Sequence, residues 1–334
     1  MYEEEINTLV ENGYFEGEPL SGELIETHIS WIILSGDYAF KIKKPLKLSF
    51  LDFSTLEQRK LNCDLEVKLN SRYSDIYYGV EPVFQKGGKW QIGGEADDVQ
   101  DFAVKMKRME EKSRMDHLIH NEQLEEADIR KLAKVVANFH MKAPVITTPF
   151  DLTFAQNTFN DLLSLEETVK HEVNIGLLQK AVNWSDKLLE KYSQTFQKRI
   201  DLGLKRDVHG DLHTGNIFIK EQPVIFDCIE FDKNFRQIDV LYEVAFLCMD
   251  LEAAGRKGFA QSFLDEYNRH FASLKDEEDL ALFIYFKCLR ANIRAKVMGL
   301  RAVQSRDTKE KQAYLSEMEK YLGMVGEYME QCKP

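Results

Sequence analysis

Apolar and polar positions alternate as in strands through the first third of the chain, then shift to helical stripes. Ile6, Leu9 and Val10 share one side of a short helix expected to end near Gly13. From Glu26 the text turns strand-like: THISWIIL, the turn Ser35-Gly36-Asp37 and YAFKIKK read as a hairpin closed by Pro45. Alternation in its second strand puts Ala39, Lys41 and Lys43 on one face and Tyr38, Phe40 and Ile42 on the other. A helix from Ser54 to Tyr73, opened by a Ser or Thr cap, carries Leu56, Leu61, Leu65 and Leu69. VEPVFQ and KWQI, separated by Gly87-Gly88, form a second hairpin, and the strand DFAVKMKRM follows. Its segment Ala103 to Met109 is expected to leave the sheet and connect to what comes next.

Beyond Glu110 the period becomes helical. Ile129, Leu132, Val135, Val136 and Phe139 form one stripe that ends before Pro144, with His140 at its end as a structural histidine. Residues 150–203 hold long amphipathic stretches without chemical groups to single out. RQIDVLYEVAFLCMDLE is an apolar helix with Asp239 placed to cap it. FIYFKCLRANIRAKVMGLRA carries Lys287, Arg290, Arg294 and Lys296, the first three spaced by three and four and therefore on one face. From Lys309 the chain reads as a charged helix.

Composition narrows the class. A chain of 334 residues with 44% hydrophobic and 11% aromatic residues can bury two modest cores or one bilobal one. With 56 acidic against 44 basic residues its net charge is -12, which repels nucleic acid and anionic membranes. The same charge suits a cationic partner and is also a common route to solubility. Cys63, Cys228, Cys248, Cys288 and Cys332 are scattered, odd in number and without a CxxC pair, as expected of reduced thiols in a cytoplasmic protein. MYEEEINTLV lacks the basic-then-apolar order of a signal peptide, and VAFLCM stops at Asp250 long before membrane-spanning length.

The chemistry concentrates between His209 and Asp232. Asp211, Asn216 and Asp227 fall within seventeen residues, and NIFI and VIF flank the turn Glu221-Gln222-Pro223 as a hairpin. Such a hairpin brings the loop before its first strand beside the residue after its second. Phosphoryl transfer needs little more than an aligned acceptor hydroxyl and metal ions held on phosphate oxygens. Asp211 would orient the hydroxyl and accept its proton, while Asn216 and Asp227 would hold Mg²⁺, a hard cation that prefers such oxygens. The bland reading is a surface hairpin whose Asp and Asn are turn residues.

HGDLHTGN followed by IFD resembles the catalytic loop and metal-binding segment of the aminoglycoside phosphotransferase-like kinases, relatives of choline kinases and, more distantly, of protein kinases. ETHISW, YAFKIKKP, LDFSTLEQRK and DVLYEVAFLCMDLE resemble an uncharacterised bacterial branch of that family, and the likeness spans about residues 20 to 330. It implies a nucleotide-dependent phosphotransferase of α+β, bilobal, protein-kinase-like fold. An antiparallel-sheet N-lobe would occupy residues 1–108 and a mainly helical C-lobe residues 109–334. The implied cofactors are ATP or GTP with Mg²⁺, and the implied partner is a small-molecule hydroxyl acceptor, with no nucleic acid and no membrane. The oligomeric state is not set by any of these patterns.

Residue by residue, YAFK resembles the strand whose lysine contacts nucleotide phosphates, which makes Lys41 the first choice and Lys43 the second. A solvated edge strand is the alternative for both. Glu66, or else Glu57, would pair with that lysine. Met106 and Met109 would contact adenine or simply pack. No glycine-rich loop precedes the lysine strand; His28 and Ser30 either replace its donors or are incidental. His209 would anchor the catalytic loop. Glu230 and Asp232, in CIEFD, either extend the acidic cluster or are solvated loop residues. The basic face of Lys287, Arg290 and Arg294 either meets an acceptor bearing phosphate or carboxylate, or pairs internally. A nucleotide-binding regulator without chemistry, a protein kinase and a nucleotidyl transferase are the competing functions.

Overall fold

The computed structural model describes residues 1–20, 22–48, 51–166, 168 and 172–333, with backbone alone for 172–175. In chain order the first elements are α1 (Glu3–Asn12), β1 (Tyr14–Phe15), β2 (Glu18–Pro19), β3 (Gly22–Glu26), β4 (Ser30–Ser35), β5 (Tyr38–Lys43), β6 (Lys47–Leu48) and β7 (Leu51–Asp52). There follow α2 (Leu56–Asn70), β8 (Tyr77–Lys86), β9 (Lys89–Ile92), β10 (Val99–Lys107) and α3 (Met115–His120). The helical part holds α4 (Glu126–Lys142), α5 (Leu152–Asn160), α6 (Glu172–Lys191) and α7 (Ser193–Asp201). Then come β11 (Lys205–Asp207), β12 (Ile217–Phe218), β13 (Val224–Ile225), β14 (Gln237–Asp239), α8 (Val240–Ala253), α9 (Lys257–His270), α10 (Glu277–Gln304) and α11 (Thr308–Gln331).

Two compact units emerge: Met1–Asn121 with Gly215–Arg236, and Glu122–Thr214 with Gln237–Pro334. The first is built on a sheet of order β2-β1-β9-β8-β10-β5-β4-β3, antiparallel except where β1 runs parallel to β9. Here β5 is an interior strand between β10 and β4, so the edge-strand reading of its lysines does not hold. Phe40 and Ile42 enter a core with Ile6, Leu9, Trp31, Ile33, Trp90 and Ala103. Ala39 faces the other way, into a cluster with Cys63, Tyr77, Val104 and Met106. Complete burial of a side chain such as Phe40 stabilises by roughly 1.5–3 kcal/mol, enough to lock the register and hence the lysine face.

Three local expectations change. THISWIIL is not one strand: Thr27 donates its N–H to the Ser30 carbonyl (2.9 Å) and accepts the Ser30 N–H on its hydroxyl (3.0 Å), which makes a turn before β4. Ala103 to Lys107 stays in the sheet, paired on both sides with β5 and β8, so the connection begins only at Arg108. The third concerns α2. Thr55 caps it by accepting the Gln58 N–H, but its buried side is Arg59, Asn62, Cys63, Glu66, Leu69 and Asn70, with Leu61 51% exposed. Ion pairs dock this helix: Arg59 reaches Asp101 on β10 at 2.8 Å, and Glu66 reaches the β5 lysines. A leucine stripe is therefore not what faces the sheet.

The second unit is helical. α10 runs through it, buried along most of its length and packed by α8 and α11. β11 and β14 pair just before α8, and Asp239 both caps that helix at the Leu241 N–H and holds the buried Arg199 through two bonds of 2.7 and 2.8 Å. Among the described residues no helix is long and apolar enough to cross a membrane, and the five cysteines are free and buried.

Candidate active site

In the sheet unit the two lysines of β5 end in a ladder of opposite charges. Lys41 Nζ lies 2.8 Å from Glu66 Oε1 and 2.5 Å from Asp227 Oδ1. Lys43 Nζ lies 2.7 Å from Glu66 Oε2 and also donates to Glu230. Glu66 therefore serves both lysines, whereas Glu57 is exposed on the first turn of α2. Burial opposes the charge on Lys41, but Asp227 and then Glu66 outweigh it and hold the ammonium well above its ordinary pKa. Lys43 is raised in the same way: burial opposes, and Glu230 and Glu66 prevail. Burial would raise the Glu66 carboxyl, yet Lys41 and Lys43 pull it down to about 2. Glu230 is neither solvated nor open to a ligand, being locked on Lys43, and burial lifts its pKa above normal. Asp232 instead caps a short 3₁₀ turn at the Asn234 N–H.

Asp227 sits at φ +65°, in the left-handed region that Asp tolerates better than most residues. Its N–H donates to the Tyr77 hydroxyl (3.0 Å), and the next N–H, of Cys228, donates to Asn70 Oδ1 (2.8 Å). Asn70 in turn donates to the Glu66 carbonyl one helical turn back (2.9 Å). The backbone on either side of the Asp227 carboxylate is thus held from β8 and α2. β12 and β13 pair as expected, and the Phe226 N–H donates to the Asn216 carbonyl at 3.1 Å, next to Asp227.

A divalent metal is implied by the resemblance, and the donor set fits one. The ladder holds three carboxylates against two ammoniums, and its excess negative charge includes Asp227, whose side chain is 43% exposed. With the amide oxygen of Asn216 this is the sparse, hard donor set with which Mg²⁺ is usually held, water and phosphate completing the shell. Among the described residues no group of three or more His, Cys, Asp and Glu forms a ready-made metal cage.

Four further candidates belong to the same unit. Met106 is buried with Ala39, Cys63 and Tyr77, and Met109 packs against the same cluster. His28 is exposed in the turn before β4, and Ser30 is fully buried opposite Lys43 with no partner for its hydroxyl. Among the described residues no hydrogen bond or ion pair joins the His28 or Ser30 side chain to the ladder.

In the helical unit, His209, Gly210 and Asp211 form a loop pinned by acids of α8. Glu243 accepts the His209 N–H (3.1 Å), the Gly210 N–H (2.5 Å) and a His140 bond (2.9 Å). Asp250 accepts both the N–H and the hydroxyl of Thr214 at 2.9 and 2.6 Å. From α10, Arg290 donates to the Gly210 carbonyl (3.0 Å), its guanidinium 3.9 Å from the Tyr242 ring centre and 4.4 Å from that of Phe246. Buried His209 receives the Asp211 N–H on Nδ1 at 3.2 Å. Asp211 keeps a 39% exposed side chain, with His213 Nε2 3.5 Å from its carboxylate. Burial would raise its carboxyl; His213, then Arg290 and His209, hold it well below the usual carboxylate range, an effect that solvent screens in part.

Several of these residues escape a sequence reading. His213 stands inside HGDLHTGN, and Glu243 and Asp250 are acids seven residues apart in a mainly apolar helix, the signal that each has a buried partner. Tyr77 and Asn70 carry no comparable mark.

A sheet unit with paired lysines and carboxylates, followed by a helical unit presenting an HGD loop, is the α+β, kinase-like arrangement of a phosphotransferase. Residues 93–278 match the family model described as the phosphotransferase enzyme family, and the chain belongs to that family. Solved structures of similar fold include a choline/ethanolamine kinase family protein from Mesorhizobium loti, 10% identical with 92% of this chain and 93% of that one covered, TM-score 0.50. Others are the GDP and kanamycin complex of APH(2")-IIia (16%, 96% and 98%, 0.50) and a thermostable mutant of aminoglycoside phosphotransferase APH(4)-Ia (10%, 95% and 98%, 0.51). Uncharacterised proteins of Mycobacterium tuberculosis and Mycobacterium bovis are 30% identical over 305 residues, which cover 88% of this chain. The match spans 59% of the length of those curated relatives.

Proposed function

We propose that this enzyme transfers the γ-phosphoryl group of ATP or GTP to a hydroxyl of a small molecule. The observation that carries the reading is the ladder in which Lys41 joins Glu66 to Asp227. Glu66, held on its other oxygen by Lys43, keeps the Lys41 ammonium in place, and that ammonium would bind nucleotide phosphate oxygens. Asn216 and Asp227 would hold Mg²⁺, which neutralises phosphate charge when bound.

Asp211 is the proposed base. The acceptor O–H proton passes to its carboxylate as the acceptor oxygen bonds to the γ-phosphorus. The bond from that phosphorus to the β–γ bridging oxygen breaks, and ADP or GDP leaves. A carboxylate held at low pKa is a weak base, which suits a loose transition state in which the proton moves late. The GDP-bound relative of the same fold supports a purine nucleotide.

The test is Mg²⁺-dependent consumption of ATP and GTP over a library of hydroxyl-bearing metabolites. Asp211→Ala is expected to lower turnover by about 10²–10⁴ while nucleotide binding persists; turnover unchanged in that variant rejects the assignment. A second reading, a nucleotide-binding regulator, is favoured by the turn before β4, where Thr27 and Ser30 already use each other's polar groups and no glycine-rich loop stands ready for phosphate. Nucleotide binding weakened by Asp227→Ala without any turnover would select it.

A further inference from the structure

The identity of the acceptor turns on which charges around Asp211 are already committed. In the helical unit the acids nearest the catalytic loop are taken. Glu243 is held by His140 and two loop amides, and Asp250 by Thr214. Farther along the same helices, Glu252 accepts from Lys287 and Tyr328. A cationic acceptor, such as kanamycin in the relative's complex, would find these carboxylates engaged with protein donors.

The cations differ among themselves. Lys287 is paired with Glu252, Lys296 with Asp161, and Arg290 is spent on the Gly210 carbonyl between two aromatic rings. Arg294, one turn beyond Arg290 on α10, is part-buried and has no ion-pair partner among the described bridges. Its guanidinium lies 5.6 Å from the Tyr321 ring centre, and its Nε, like that of Arg290, is buried without a hydrogen-bond partner. Its place one turn beyond Arg290, which holds the carbonyl next to Asp211, sets it on the side of the proposed base; burial works against its charge, and Tyr321, Asp250 and Asp211 more than offset that. His213 adds a second cation-forming group 3.5 Å from the Asp211 carboxylate.

We propose that the acceptor is an anion: a hydroxylated small molecule already bearing a phosphate or carboxylate, which Arg294 binds while its hydroxyl meets Asp211. A part-buried guanidinium with no carboxylate bound to it among the described residues is the residue best shaped for a forked bond to either group. The overall charge of -12 does not contradict this, because the charges that decide affinity are those beside Asp211. The inference rests on the phosphotransferase reading and narrows it.

A matched set of hexose derivatives tests it: glucose 6-phosphate, gluconate, glucose and glucosamine, measured by equilibrium binding to the full chain with Mg²⁺ and a non-hydrolysable ATP analogue at constant ionic strength. One of the two anions is expected to bind at least about tenfold more tightly than glucose or glucosamine, and which one it is distinguishes phosphate from carboxylate. Arg294→Ala should abolish that preference, and Arg294→Lys should restore part of it. Equal or tighter binding of glucose or glucosamine, failure of both anions to bind, or an anion affinity unchanged in Arg294→Ala overturns the proposal. Turnover with ATP separates this from the parent reading. Phosphorylation of only the neutral or cationic sugars rejects the anionic acceptor and keeps phosphotransfer. Arg294-dependent anion binding without any transfer does the reverse.

Discussion

Lys43 and Glu66 are bonded at 2.7 Å with neither side chain exposed, so the glutamate that faces Lys41 is fixed by a second lysine two residues along the same strand. The orientation of Glu66 does not depend on Lys41 alone. Under the proposed function, Lys41 would exchange Asp227 for phosphate without leaving a buried carboxylate unpaired.

That division of labour separates the two lysines in stability. Lys43→Met strands Glu66 and Glu230 partly unpaired in the interior and is expected to cost about 3–5 kcal/mol. Lys41→Met should cost less, because Glu66 keeps Lys43 and Asp227 reaches solvent, yet it should remove turnover. Urea unfolding midpoints of the two variants check the order; equal losses would contradict it.

Asn70 is expected to act at a distance on Asp227. Asn70→Ala leaves the buried Cys228 N–H without its acceptor, a loss of roughly 1–3 kcal/mol in stability. It should also raise the Mg²⁺ concentration needed for half-maximal nucleotide binding. A titration that matches the parent protein would confine Asn70 to a structural role.

Glu243 holds the amides on which the HGD loop rests. Glu243→Gln replaces an oxygen that accepts an N–H with an amide donor and misplaces Asp211, for which a fall of about 10²-fold in kcat is expected. KM for nucleotide should hardly move. A change in KM alone would show that the loop keeps its shape without this acid.

The pair Asp211 and His213 predicts a pH signature. Burial lowers the His213 pKa, but Asp211 and then Asp250 raise it above its ordinary 6.5. A raised folded pKa gives stability that is fully present below the unfolded value and is lost as pH rises through the folded one. The stability difference between the parent protein and His213→Gln should therefore be largest below about pH 6 and shrink as pH climbs past about 7. Asp211 has the opposite sign: its depressed pKa gives stability that is lost only in acid, below about pH 4. Chemical unfolding from pH 5 to 9 isolates the histidine, and a difference that grows with pH would refute the assignment.

The sequence made some of this legible and not the rest, for physical reasons. Alternation in YAFKIK set Lys41 and Lys43 on one face because Phe40 and Ile42 must be buried together on the other. The hairpin of β12 and β13 followed from its turn residues, and the HGD loop and IFD segment from their motif. The docked face of α2 did not follow, since Arg59, Glu66 and Asn70 are buried by partners on distant strands and loops that periodicity cannot see. For the same reason Lys43 carried no sign of Glu230. Arg290 looked like part of a continuous basic face with Arg294, although one is spent on a backbone carbonyl and the other is not.

The ladder also sets an order of events at the ribosome. Lys41 lies 186 residues before Asp227, and Lys43 lies 187 before Glu230. Glu66, much nearer, is available early, but the sheet-bearing unit lacks its last segment until Arg236 has been synthesised. At roughly 5–20 residues per second that interval lasts on the order of ten seconds or more, during which the surplus ammonium charge has not met its carboxylates. A part of the chain made well before its partners is thus among the last to be finished, and nascent-chain protection would be needed most across the stretch that separates β5 from its partners.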